Sequence, residues 1–311
     1  MQFLKVMPSA RGAALGDAYS VLASGADAVF WNPSGLAAIK NQEIASSYIQ
    51  WIFDSRQGAV AYGISLGEFG SVAAQIQYVD FGEFLEASML RPYINKEIDP
   101  GLTGNTFHPY SYLFGVTYAQ NLTDKFSAGL SVKFAHESLY NGSSVMTQVS
   151  QGVDETVDTW ANGMMFDFGF HYRTGFRSIE IAASVQNFGA DVTYARESNP
   201  LPMMFRWGLA ANLIGTEAIA AYDETNRVGI AFDLFQPNDY AQQAHIGLEY
   251  EYAAVFALRT GYKFNYDSEG LTLGGGVRQE FGPIQLILDY SFSSVGTYLG
   301  NVHRFSLGAV L

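Results

Sequence analysis

Runs that alternate apolar and polar residues, each closed by a tight turn, constrain this chain more than any other feature. From Phe126 to Phe134 the apolar set is Phe126, Ala128, Leu130, Val132 and Phe134. The set between them is Ser127, Gly129, Ser131 and Lys133. Ile179–Val185, Ile284–Phe292 and Arg304–Leu311 repeat the pattern. A period of two sends successive side chains to opposite faces of a strand, so each run carries one greasy and one polar face. Alternation and turn punctuation together predict fourteen strands, at 43–53, 56–66, 70–81, 109–120, 124–139, 160–173, 176–188, 203–214, 225–236, 242–252, 254–266, 270–281, 283–294 and 302–311.

The polar face decides what such strands build. On a soluble sandwich that face meets water and is rich in Lys and Glu. Here it is rich in Gly, Ser and Gln, and the whole chain has only 17 Lys and Arg. At 311 residues the chain also exceeds the usual reach of one hydrophobic core, a limit that a closed wall escapes. No stretch approaches the roughly 18 consecutive apolar residues of a spanning helix. The expectation is therefore an all-β fold, a 14-stranded antiparallel transmembrane β-barrel with its greasy face in outer-membrane lipid. An even strand count is usual for bacterial single-chain barrels. The connections agree, because they alternate in length. Gly82–His108, Tyr140–Thr159 and Gly189–Pro202 are long, while G-E-F-G, N-L-T-D, R-T-G and F-G-P are short. Long external loops and short periplasmic turns are the usual arrangement. Leu213–Thr225 breaks it, being long on the short side. Localisation in a bacterial outer membrane requires export. The opening M-Q-F-L-K-V-M-P lacks a long apolar core, so a signal peptide is expected to be absent from this sequence.

Residues 1–42 differ from the rest and are predicted to form an N-terminal hatch in the lumen of a barrel spanning 43–311. They are rich in Ala and Gly. A short helix is predicted over Asp17–Ala23, stopped by Gly25. The stretch Ala26–Ala38 is apolar and turn-forming, with Trp31, Asn32, Pro33, Ser34 and Gly35 at its centre. Pro33 fixes its own φ and pushes Asn32 out of helical geometry, Asn32 can close an Asx-turn, and Gly35 can take φ > 0.

Charges on the predicted inward face gather late in the chain: Glu249, Glu251, Arg259, Lys263, Arg278, Glu280, Asp289 and Arg304. Neighbouring strands bring opposite signs side by side. A structural charge ladder filling the lumen is the expectation, with a lumenal polar site as the functional counterpart. No catalytic or metal chemistry is expected. The five histidines show no i, i+4 pair and no H-E-x-x-H, and there is no cysteine. Gly274-Gly275-Gly276 lacks the Lys-Ser/Thr of a phosphate loop, and no G-x-S-x-G occurs. No cofactor is expected, and a net charge of −13 argues against nucleic acid as a partner.

The segment F-L-K-V-M-P-S-A-R-G-A-A-L-G-D-A-Y, followed by A-V-F-W-N-P-S-G-L-A, resembles the start of the PorV/PorQ family within the FadL-like outer-membrane proteins. V-Q-N-F-G-A at Val185–Ala190, H-I-G-L-E-Y at His245–Tyr250, L-R-T-G-Y at Leu258–Tyr262 and H-R-F-S-L-G at His303–Gly308 extend the resemblance in order. It implies a fourteen-stranded barrel with a hatch. The Asn-Pro-Ala element of FadL-like hatches falls on Asn32-Pro33-Ser34, departing at the third position. It further implies a role in type IX secretion or surface attachment, through a secreted or surface protein partner. The apolar loop residues Phe84, Leu85, Met89, Leu90 and Tyr93 would hold that partner, since an exposed greasy loop is costly without one. The alternative is a FadL-like transporter, whose ligand would be a small hydrophobic molecule.

Overall fold

The computed structural model describes residues 1–87, 93–94, 97–98, 102–150 and 153–311. Met89 and Leu90 lie outside them, as do the side chain and surroundings of Tyr93. Fourteen strands form the wall: β1 Gln42–Gln50, β2 Arg56–Ser65, β3 Ser71–Asp80, β4 Tyr110–Asn121, β5 Phe126–Ser138, β6 Trp160–Arg173 and β7 Glu180–Gly189 make its first half. The second half is β8 Met204–Ile214, β9 Asn226–Pro237, β10 Gln243–Tyr252, β11 Phe256–Phe264, β12 Leu271–Phe281, β13 Ile284–Ser294 and β14 Asn301–Val310. Each pairs antiparallel with its neighbour in sequence, and β1 also pairs with β14, from Glu43↔Val310 to Gln50↔His303. This is a closed 14-stranded antiparallel β-barrel. Closure leaves no strand edge with unpaired backbone, which is the condition for crossing lipid with strands.

The alternation read from the sequence sorts the two faces of the wall. Leu130, Val132, Leu258, Leu288, Phe305 and Leu307 are exposed on the outside. Their neighbours Ser131, Arg259, Ser291 and Arg304 are buried in the lumen. Toward the long-loop end the outer face carries a run of stacked rings, Tyr78, Tyr110, Tyr112, His136 and Trp160. Rings of this kind mark a membrane interface. The long connections build small hairpins of their own, at Phe84–Ala87 with Leu102–Phe107, Ser144–Ser150 with Val153–Asp158, and Val192–Tyr194 with Glu197–Asn199. The long turn between β8 and β9, residues 215–225, is held down by its own bonds. Ile219 N–H donates to the Asn212 carbonyl, and the Arg177 guanidinium from the neighbouring turn donates to the carbonyls of Ala218 and Ile219.

Residues 1–41 lie inside the barrel. Their one α-helix is α1, Ala10–Ala14, capped by Ser9, whose hydroxyl accepts from Gly12 N–H. The helix predicted at Asp17–Ala23 does not form. Gly16 and Asp17 both take the left-handed conformation, φ 64° in each, which ends helical propagation before it could start there. That turn points the Asp17 carboxylate at Lys263, 2.6 Å away. Gly35 is corrected too. Its φ is not positive. It sits in the 3₁₀ segment Pro33–Ala38, and a Cβ there would overlap the Ala23 carbonyl oxygen, so close approach is what requires glycine.

Candidate functional site: the plugged lumen and its external cavity

The hatch is seated by Asn32. Its side chain accepts from Ser34 N–H at 3.2 Å and from the Ser34 hydroxyl at 2.8 Å. Its amide donates to the carbonyls of Ser20 and of Phe170 on β6. The Asx-turn therefore forms, and the same residue ties hatch to wall. Trp31 and Leu36 are fully buried beside it, as are Asn32 and Ser34, and Pro33 is also buried. The wall makes room for this knot with missing side chains: at Gly129 on β5 a Cβ would overlap the Pro33 backbone, and at Gly169 on β6 it would overlap the Asn32 side chain.

Six of the eight ladder residues join buried ion pairs. Arg259 bridges Glu249 and Asp289, at 2.6 Å each, and Arg278 pairs with Glu251 at 2.8 Å. Lys263 stands apart from these, between Asp17 and Glu269. The other two do not join. Glu280 is exposed at the turn end of β12, where the lumen opens, and forms no ion pair among the described residues. Arg304 instead lies over the Trp51 ring at 5.1 Å, and its Nε finds no acceptor. Two partners were missed. Arg227 faces inward on β9 and bridges Glu249 and Glu251; strict alternation could have placed it. Arg11 comes from the hatch and grips Glu249 with two N–H groups, at 3.0 and 2.8 Å. No pattern in the wall could have revealed that contact.

Above the ladder, at the long-loop end, lies a cavity of about 390 Å³. Trp51, Phe235, Pro237, Tyr240 and Tyr266 give it apolar and aromatic surface, and Val6 and Met7 of the hatch close one side. Arg206 and Arg304 line it and are almost fully buried. Arg206 stacks on Phe235 at 4.2 Å and on the hatch residue Trp31 at 5.2 Å. Its Nε and Nη1 have no acceptor. A buried guanidinium without a carboxylate costs several kcal/mol unless something accepts its hydrogens. The cavity is of mixed character, because Asp17, Lys263, Asp267 and Glu269 line it together with these arginines and the aromatic side chains. At its edge Lys5 of the hatch meets Asp239 at 2.7 Å. Partial burial pushes the Asp239 carboxyl up, but the hydrogen bond and charge of Lys5 outweigh this and hold it below its ordinary value.

Of the loop residues expected to hold a protein partner, Phe84 and Leu85 are described and both are exposed. Phe84 stacks on Phe107, and Phe107 on Tyr140 of the next loop, with centroids 5.6 and 5.0 Å apart. Glu86 accepts from Tyr140, Thr103 and Asn105, which locks the hairpin. Leu85 remains exposed.

No family model matches the chain, and no curated protein matches its sequence. Solved structures do match. The Pseudomonas putida toluene transporter TodX aligns over 96% of this chain and 95% of its own, at 14% identity and a TM-score of 0.56. The fold is that of FadL-like outer-membrane channels. CymD, a monoaromatic hydrocarbon channel, aligns over 97% and 96% at 11% identity and a TM-score of 0.54. A Pseudomonas aeruginosa FadL homologue aligns over 97% of both chains at 12% identity and the same score. This FadL-like fold agrees with the broader group named from the sequence. Nothing supports the narrower PorV/PorQ resemblance, and the expected secretion role with its protein partner is corrected by these neighbours, two of which are named as hydrocarbon channels or transporters.

Proposed function

We propose that this barrel passes small hydrophobic molecules across an outer membrane, taking them up at the external cavity. The observation that carries the proposal is that cavity: about 390 Å³, with Trp51, Phe235, Tyr240 and Tyr266 on one side and Val6 and Met7 of the hatch on another. Ligand sites are concave, mostly apolar, and carry few placed polar groups. The size suits a single-ring or short-chain molecule. The FadL-like fold, with toluene and monoaromatic hydrocarbons named for TodX and CymD, supports the same reading. No covalent step is assigned to the protein. Calorimetric titration of the detergent-solubilised barrel with toluene tests it. Saturable binding is expected, weakened about tenfold by Trp51→Ala, the loss typical of removing one aromatic anchor. Heat that scales only with partition into detergent, and is unchanged by the substitution, would count against the proposal.

A further inference from the structure

Glycine inside a strand weakens it and packs nothing, so a glycine there marks a bend, a bulge or a close approach. Elsewhere in this barrel such a reason is visible. At Gly129 and Gly169 the hatch comes too near for a Cβ, and at the turns, as at Gly67 and Gly282, φ is positive. Gly58 on β2 has neither reason. Its φ is not positive, and a Cβ there would meet nothing within 4 Å, which sets it apart from every other glycine of the described residues. Its neighbours Gln57 and Ala59 are buried in the lumen, so Gly58 faces lipid. Its cross-strand partners are Tyr48 on β1 and Tyr78 on β3, both exposed. Two strand spacings, about 10 Å, part these rings. With van der Waals contact near 4 Å on either side, that gap admits one hydrocarbon chain.

The gap continues into the bilayer as a groove of about 490 Å³ on the outer wall. Gly58 and Ser46 floor it, Ile76 and Tyr78 bound it toward β3, and Phe305 and Leu307 bound it toward β14. The Ser46 hydroxyl donates to the Leu307 carbonyl at 3.2 Å, so the floor offers lipid no free polar group at that point. Tyr78 belongs to the aromatic run that marks the interface at the long-loop end. Arg56 lies one outward position beyond Gly58, on the headgroup side of that run, and is exposed. It joins no ion pair among the described residues. Asp80, opposite it in register, is bonded instead to the Gly82 N–H in its own loop, at 2.9 Å.

We infer that this groove is a lipid site: it holds one acyl chain of a phosphate-bearing lipid from the leaflet at the long-loop end, with the phosphate at Arg56. A second copy of the barrel is a poorer occupant, because a two-fold contact sets groove against groove and leaves both empty. The site lies on the outside of the wall and is independent of the uptake proposed above.

Native mass spectrometry of the barrel, released from detergent after addition of dioleoylphosphatidylglycerol or of dioleoylglycerol, tests the inference. The unsubstituted barrel is expected to retain one phosphatidylglycerol. Gly58→Trp fills the gap from the lipid side and is expected to cut that retention about tenfold. Ser46→Phe fills the other end of the floor and serves as a second blocking variant should the first fail to fold, which heat-modifiable gel migration checks. Arg56→Gln is expected to lower retention of phosphatidylglycerol about fivefold, the most an exposed charge pair carries, and to leave that of dioleoylglycerol unchanged. No retained lipid, retention indifferent to the blocking substitutions or to Arg56→Gln, or a dimer that the blocking substitutions abolish, overturns the inference.

Discussion

Glu249 faces three guanidiniums, those of Arg11, Arg227 and Arg259, each within 3 Å. Its position explains why a polar lumen is tolerated here. The carboxylate is buried, yet both of its oxygens are satisfied, and a buried charge is affordable only when paired and hydrogen-bonded. The same residue joins hatch to wall, because Arg11 belongs to the one and Arg227 and Arg259 to the other. Glu249→Gln removes the carboxylate that the buried Arg259 and the partly exposed Arg11 and Arg227 share, leaving Arg11 without one. The expected loss is about 3–5 kcal/mol of unfolding free energy, read from urea unfolding in detergent. At this scale the sequence was half legible. Glu249, Arg259 and Asp289 could be placed by inward parity alone. Arg11 could not, since a hatch residue has no strand period to read. Glu280 shared the parity but lay too near the turn to be enclosed.

Strands and hatch differ in how far their sequence speaks for them. A wall strand is fixed by period two, because a one-residue slip would turn Leu130 and Val132 into the lumen and Ser131 into lipid. That is why the predicted strands fall within a few residues of those observed. The hatch has no such period. Its helix was expected at Asp17–Ala23 but lies at Ala10–Ala14, because the left-handed pair Gly16 and Asp17 is imposed by the contact with Lys263 on β11. The Asn32 turn was legible because its bonds are local. The glycines that receive it were not, since Gly129 and Gly169 look like ordinary inward small residues until the hatch is laid against them. Gly129→Ala is expected to unseat the knot, costing about 1–3 kcal/mol as overpacking does. The loss should appear in the same urea titration, with the strands unchanged by circular dichroism.

The whole molecule is a lipid-facing cylinder, closed by β1 on β14 and stopped by its own N-terminal segment. Its architecture followed from the alternation, the sparse Lys and Arg, and the unequal loops. Its role did not, because one wall can serve many passengers and the external cavity is assembled from residues as distant as Val6, Trp51, Arg206 and Tyr266. No window of sequence brings these together. The loop residues Phe84 and Leu85 pointed instead to a protein partner; Phe84 stacks on Phe107, next to Tyr140, and both Phe84 and Leu85 stay exposed. Uptake of radiolabelled toluene by cells carrying this barrel in their outer membrane tests the account most directly. Saturable uptake above that of cells lacking the barrel, reduced by Trp51→Ala at equal barrel abundance, is predicted. Equal uptake with and without the folded barrel would contradict it.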